Sequence, residues 1–220
     1  MVRMGDGRMR IGIVGAGHIG GTAAKLFARA GHRVALANSR GPTSLAPLVA
    51  SLGPNVQAAS PADAVTFGEA VLLAIPWRNK EQLPPSELFA GKIVIDAMNP
   101  YSALGRVMDL GESTSSEEVA KRLRGARLVK AFNTIGWKTL ENGGQSSEED
   151  QLAIFVAADD AAAKETVAAL IREIGFAPVD TGSLREGGRR QQPGSRLYGR
   201  PMTSRQAEDI LGKSSAKDKR

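Results

Sequence analysis

The chain has 220 residues, a formal net charge of +6, no cysteine and two histidines. That length holds one sizeable core with a small appendage. The missing cysteines exclude disulfides, thiolate metal sites and a cysteine nucleophile, the two histidines argue against a multi-histidine metal site, and no apolar run approaches the roughly 18 residues of a membrane span.

The first ten residues are short and basic and run directly into a strand, which argues against a signal peptide. With the missing cysteines this points to a cytoplasmic protein. Arg and Lys gather in residues 185–205 and 213–220. No RNA-binding aromatic motif or zinc-finger spacing accompanies them, so neither a nucleic acid nor a membrane is an expected partner.

Arg10 to Val14 reads as a short apolar strand, followed by Gly15-Ala16-Gly17-His18-Ile19-Gly20. A helix then runs to about Ala30, with Ile19, Ala23, Phe27 and Ala30 on one face and Gly31 as its stop. Residues 33–37 form a small, continuous apolar strand of the kind buried on both faces. Residues 43–52 read as a helix broken by Gly53-Pro54, and residues 56–59 as a third strand. Ser60-Pro61-Ala62-Asp63 opens the next helix, with Ser60 as its cap and Pro61 at the first position.

A fourth strand spans residues 70–75 and stops at Pro76. Residues 81–89 allow only a short, proline-interrupted helix, and residues 92–96 form the fifth strand. Ser115-x-x-Glu118 reads as a capping box for a helix ending at Gly125. Residues 128–132 make a sixth strand, and residues 142–150 a polar loop. Residues 152–157 read as a strand, residues 163–174 as a helix capped by Asp159 or Asp160, and residues 177–180 as a last strand. Residues 185–201 look like a basic loop and residues 203–211 like one helix, while the last nine residues look frayed. The alternation gives an α/β fold built on a doubly wound, mostly parallel sheet. Residues 1–184 form the dinucleotide-binding domain and residues 185–220 a basic, partly disordered C-terminal extension.

The glycine turn is suited to a dinucleotide's pyrophosphate. Gly15 allows the tight turn, Gly17 lets the backbone approach phosphate, and Gly20 lets helix lie close on strand. His18 is placed to touch the phosphates or to pack on the sheet. An NAD site needs a carboxylate about 20 residues past the glycines, to accept from the ribose 2′-hydroxyl. Here the second strand ends in Asn38-Ser39-Arg40, and no Asp or Glu occurs between the glycine turn and Asp63. Arg40, the Ser39 hydroxyl and backbone N–H groups near Thr43 would instead hold a 2′-phosphate, which favours NADP(H). Ala74-Ile75-Pro76-Trp77, Asn99-Pro100-Tyr101 and Phe132-Asn133-Thr134 all end strands at the side where open sheets bind ligands. Ile75 and Pro76 would wall a nicotinamide. Asn99 or Asn133 would bind its carboxamide or a second substrate, or simply make a local turn. Trp77 and Tyr101 offer faces for a flat acceptor. His32 reads as a surface residue, and Lys130 as a strand-edge or partner contact.

Four motifs in order, Ile11 to Gly20, Asn38-Ser39-Arg40, Val94-Ile95-Asp96-Ala97-Met98-Asn99-Pro100 and Val129-Lys130-Ala131-Phe132-Asn133-Thr134, resemble the NADPH-dependent reductases of coenzyme F420, a deazaflavin. The resemblance covers about residues 10–182. It implies one Rossmann-type domain that holds NADP(H) and the deazaflavin face to face, with direct hydride transfer between them, usually in a homodimer. It puts the phosphate loop on Gly15, Gly17, His18, Ile19 and Gly20, and the 2′-phosphate on Ser39 and Arg40. Nicotinamide and deazaflavin contacts fall near Ile75, Pro76, Asn99, Phe132 and Asn133. No catalytic side chain is expected, since stacking donor carbon on acceptor carbon supplies the proximity a hydride needs. Two other functions are open: an NADPH-dependent imine, keto-acid or pyrroline-carboxylate reductase, and a non-enzymatic NADP sensor with its crevice blocked by Trp77, Tyr101 or the basic tail.

Overall fold

The computed structural model describes residues 8–144 and 151–212. The frayed end expected after Gly212 and most of the 142–150 loop lie outside the described residues.

Eight strands form one sheet. They are β1 (Arg10–Val14), β2 (Arg33–Ala37), β3 (Val56–Ala59), β4 (Ala70–Leu73), β5 (Ile93–Asp96), β6 (Arg127–Lys130), β7 (Ala153–Ala157) and β8 (Ala177–Gly182). Their spatial order is β3-β2-β1-β4-β5-β6-β7-β8. Every neighbouring pair is parallel except β6 and β7, which meet antiparallel through the single register pair Lys130 and Ala157. The chain winds outward from β1 to β3, returns to β4, and winds outward the other way. The crevice at the carboxyl ends of β1 and β4 is therefore the switch point where open α/β sheets take ligands.

Alternate strand residues feed two cores. Ile11, Ile13, Leu72, Ile95 and Val129 face one layer, in which α1 (His18–Arg29) and α6 (Ala161–Glu173) contribute Phe27, Val167 and Ile171. Val71, Leu73, Val94 and Leu128 face the other, with Val119 of α4 (Ser115–Arg122) and Phe89. Gly12 sets the spacing on β1: a Cβ there would fall on the Ala64 carbonyl of α3 (Pro61–Phe67). No helix among the described residues is long and apolar enough to cross a membrane.

Helix ends follow local chemistry. Helix α1 stops in a Schellman turn: Gly31 takes φ 94°, its N–H reaches the Ala28 carbonyl (3.1 Å), and His32 N–H reaches Phe27 (3.0 Å). Ser60 caps α3 by accepting from Asp63 N–H (3.1 Å), and Asp160 caps α6 by accepting from Ala163 N–H (2.9 Å). The capping box of α4 sits one residue earlier than its sequence reading. Thr114 and Glu117 form it, because the Thr114 hydroxyl is also drawn to the Leu184 carbonyl (3.3 Å).

Three expectations are corrected. His32 is buried at 1% exposure. Its Nδ1 accepts from Met9 N–H (3.1 Å) and its Nε2 meets Glu173 Oε2 (2.6 Å), so it fastens the start of β1 to the end of α6. Lys130 lies on an interior strand and is wholly buried, at no edge or partner surface. The basic loop over residues 185–201 contains α7 (Glu186–Arg190) and is packed down, with Gln191 and Leu197 buried. Gly187 permits this seat, since a Cβ there would approach Thr181 Oγ1 to 2.6 Å. Beyond it α8 (Ser204–Ile210) lays Ala207 on Phe155 and Val179. Sequence reading also passed over α5 (Trp137–Asn142), a helix of six residues with no side-chain cap.

Candidate functional site: two adjoining clefts at the glycine turn

The glycine turn is shaped by two close approaches and one open space. Gly15 takes φ 114°, and a Cβ on it would collide with the Ala74 carbonyl. A Cβ on Gly20 would collide with the Gly15 carbonyl, so α1 can start only this close to β1 if position 20 is bare. Over Gly17 a Cβ would meet nothing within 4 Å. Gly17 is the N-cap of α1, provides no side-chain bond, and is followed by no acid in the first turn. The first N–H groups of a 12-residue helix thus point, uncapped, into space wide enough for an anion.

From this turn a cleft of about 590 Å3 runs to the end of β2. Val14, Gly15, Gly17, Asn38, Ser39 and Arg40 line one side of it, and Ala74, Ile75 and Pro76 the other. Arg40 is the one charged residue lining it, and no carboxylate does. Asn38 builds the turn that presents Arg40: its Oδ1 accepts from Arg40 N–H (3.0 Å) and its Nδ2 donates to Ser44 Oγ (2.9 Å). Ser39 and Arg40 are exposed. Thr43 is exposed one turn further on and does not line the cleft. Pro61, Asn79 and Gln82 do line it. Sequence reading missed Asn79 and Gln82 because the segment after Pro76 forms a short 3-10 helix, Trp77–Gln82, whose facing side no periodicity announces, and it read Pro61 only as the first position of α3.

A second cleft of about 390 Å3 continues past the glycine turn, lined by Gly17, His18, Ile19, Ile75, Pro76, Met98, Asn99 and Tyr101 among others. Gly17, Ala74, Ile75 and Pro76 line both clefts, so the two share a wall. His18 neither packs on the sheet nor points at it: its ring stacks on Trp137 of α5, centroids 4.6 Å apart and planes 12° from parallel. Pro100 is buried behind the cleft. Asn99 and Asn133 are tied to each other rather than to local turns. Asn99 Nδ2 donates to the Asn133 carbonyl (2.8 Å), and Asn133 Nδ2 donates to Asn99 Oδ1 (3.1 Å) and to the Gln191 carbonyl (2.8 Å). Phe132 takes φ 64°, a conformation unusual for a residue with a Cβ, and turns its ring under α1 onto Phe27 (6.1 Å, edge to face). It supports the cleft from below and does not line it.

Trp77 borders the smaller cleft but exposes almost none of its ring to it. It is 3% exposed, its Nε1 donates to the Ser115 carbonyl (3.0 Å), and Lys80 lies 4.0 Å over its ring. Tyr101 does line the cleft, and its hydroxyl lies 3.3 Å from that of Tyr198. Among the described residues, Trp77 and Tyr101 leave this cleft open.

Beneath the floor lies a buried ionic cluster. Lys130 Nζ donates to Asp96 Oδ2 (3.1 Å), the Met98 carbonyl (2.5 Å) and Ser115 Oγ (3.3 Å). Asp96 also accepts from Ser116 Oγ (2.6 Å) and Met98 N–H (2.9 Å). Burial pushes the Lys130 ammonium below the usual lysine range, against the pull of Asp96. The cluster fixes both ends of the Met98 peptide, and with it the strand end that leads to Asn99.

Residues 10–100 match the family model described as NADP oxidoreductase, coenzyme F420-dependent. A solved structure of the hypothetical protein SMa0349 from Sinorhizobium meliloti is 32% identical with a TM-score of 0.79, over 89% of this chain and 95% of that one. Residues 10–100 belong to the family of coenzyme F420-dependent NADP oxidoreductases. A second structure, from Arthrobacter sp. FB24 and named as a candidate F420-dependent NADP reductase, is 27% identical (TM-score 0.71), over 80% of this chain and 86% of that one. The metalloreductase STEAP3 of Rattus norvegicus is 29% identical over 176 residues, which is 80% of this chain. The chain spans about a third of the length of that curated relative, 34%. The family match ends at Pro100, so Asn133 and the C-terminal extension lie beyond it.

Proposed function

We propose that this protein binds NADP(H) along the larger cleft and exchanges a hydride with a planar redox acceptor in the smaller one, coenzyme F420 being the first candidate. The observation that carries this reading is the lining at the end of β2: Arg40 and Ser39 present, every carboxylate absent. A 2′-phosphate would meet a guanidinium fork and a hydroxyl there, whereas the ribose hydroxyl of NAD would lack its carboxylate partner. The uncapped first turn of α1 receives the pyrophosphate, with Gly17 giving the clearance. When bound, NADPH supplies the hydride from its nicotinamide ring. The chain's own residues do the placing. Ile75 and Pro76 form an apolar wall for that ring, Asn99 borders it, and the paired asparagines hold Asn99 in one orientation. Such positioning is the main contribution asked of the protein when both reactants are redox rings. A small substrate would need a closing wall of its own, whereas a flat cofactor brings its own surface to an open cleft.

The test is titration of the protein with NADPH and NADH, followed by NADPH oxidation with F420, FMN and FAD. NADPH is expected to bind far more tightly than NADH, and at least one acceptor to be reduced. Arg40→Gln is expected to raise the NADPH Kd by roughly 10- to 100-fold, the loss of charge-assisted hydrogen bonds of about 1.5–3 kcal/mol, while NADH affinity stays within about twofold. Equal loss for both nucleotides would overturn the assignment of the 2′-phosphate to Arg40. No turnover with any acceptor would overturn the hydride transfer.

A further inference from the structure

The residues that border the acceptor end of the cleft are held from behind by a segment outside the family match. Tyr101 and Asn99 line that end, two positions apart on the strand-to-loop connection after β5. Tyr101 is fixed in backbone by its N–H on the Asn99 carbonyl (2.8 Å) and by a bridge to Val107. Its hydroxyl finds Tyr198, 97 residues later (3.3 Å). Asn99 is oriented by Asn133, and Asn133 is in turn held by the Gln191 carbonyl (2.8 Å). Both tethers thus end on residues 191–198.

That segment is itself firmly seated. Gly199 N–H donates to the Thr134 carbonyl (3.0 Å), and Gln191 Nε2 donates to Thr181 Oγ1 (2.8 Å). Leu197 is buried among Phe155, Val179 and Met202. Gly188 brings the chain close to Thr114, where a Cβ would stand 3.3 Å from its Oγ1. Burial and the Tyr101 contact push the Tyr198 hydroxyl well above the usual tyrosine range.

We infer that residues 191–199 are an integral part of the acceptor site, with Tyr198 a positioning residue that sets Tyr101 and thereby decides which planar acceptors the cleft takes. Tyr101 borders the smaller cleft and not the larger one, and Tyr198 borders neither. Through the Tyr198–Tyr101 contact the segment therefore acts on the acceptor rather than on NADP(H). This rests on the hydride transfer proposed above.

Tyr198→Phe tests it, because the ring and its packing stay and only the hydroxyl leaves. The measurements are NADPH Kd by nucleotide fluorescence, melting temperature, and kcat and KM for each acceptor that the unaltered protein reduces. Tyr198→Phe is expected to raise acceptor KM about five- to tenfold, the effect of one lost hydrogen bond, with NADPH Kd and melting temperature unchanged. Tyr101→Phe should produce the same KM shift, and the double variant no more than either one, since both remove the same bond. Unchanged acceptor KM in Tyr198→Phe overturns the inference, as does a parallel rise in NADPH Kd, which a general loosening would give. An unaltered protein that binds NADPH but reduces no acceptor overturns the hydride-transfer reading itself, and the inference with it.

Discussion

Gly17→Val is expected to leave the protein folded and to weaken NADPH binding by more than about 100-fold. The two halves of that outcome have separate causes. Gly17 has φ −76°, which any residue adopts, and a Cβ there touches no protein atom within 4 Å. The folded chain therefore accepts the side chain. Valine is a poorer N-cap than glycine by at most about 1 kcal/mol, or roughly 2–4 °C in Tm for a chain of this size. The anion, however, must come to the first N–H groups of α1 through that same space, and a branched side chain fills it. Thermal unfolding reads both effects in one experiment. A ligand at 100 times its Kd stabilises by about 2.7 kcal/mol, and that NADPH-induced rise should vanish in the variant while its ligand-free Tm stays near the original. Gly20→Ala is the internal control. Its Cβ collides with the Gly15 carbonyl, so it should lower the ligand-free Tm. A Gly17→Val protein that still shows the full NADPH shift would sink the pyrophosphate assignment.

Lys130→Met is expected to destabilise the fold by about 3–5 kcal/mol, because it leaves Asp96 buried without its cation. Asp96 is 0% exposed and would keep only the Ser116 hydroxyl and Met98 N–H. Replacing both partners should cost less than replacing one. In Lys130→Met with Asp96→Leu no uncompensated charge remains, so part of the loss should return. Denaturant unfolding of the unaltered protein, Lys130→Met, Asp96→Leu and the double variant gives the comparison. If the double variant is as unstable as the sum of the singles, the two side chains act independently and the ion pair is not what holds this strand end.

Much of the architecture was readable in the chain because it is written in short-range patterns. The bounds of β2 and β3, the Ser60 cap and the Gly31 stop all depend on residues within a few positions of one another. The errors share a different cause. Lys130 meets Asp96 across 34 residues, Trp77 meets Ser115 across 38, and His32 meets Glu173 across 141. No local period distinguishes such a partnered polar group from an exposed one. Helix α4 shows a subtler case. Thr114-x-x-Glu117 and Ser115-x-x-Glu118 both spell a capping box, and a contact to Leu184 selects the first. In α7, two glycines in five residues argue against a helix; close packing on Thr181 and Ala157 requires the first, Gly187, and Gly188 lies close to Thr114. At the site, the glycine turn and Arg40 were legible, since one backbone motif and one missing acid define them. Asn79 and Gln82 at the cleft and Tyr198 behind it were not, because a short 3-10 helix and the course of the C-terminal chain bring them there.

The buried histidine between β1 and α6 has a chemical identity that follows from its neighbours. Met9 N–H can only donate, so Nδ1 must present a lone pair to it. The ring's remaining hydrogen then sits on Nε2, facing the Glu173 carboxylate. The protein thus selects one tautomer of His32, and that choice joins a backbone amide at one end of the chain to a side chain 164 positions later, as 173 − 9. A nitrogen-15 spectrum should show the two ring nitrogens as an unlike pair, with Glu173→Gln keeping the tautomer and Glu173→Leu leaving its proton unclaimed.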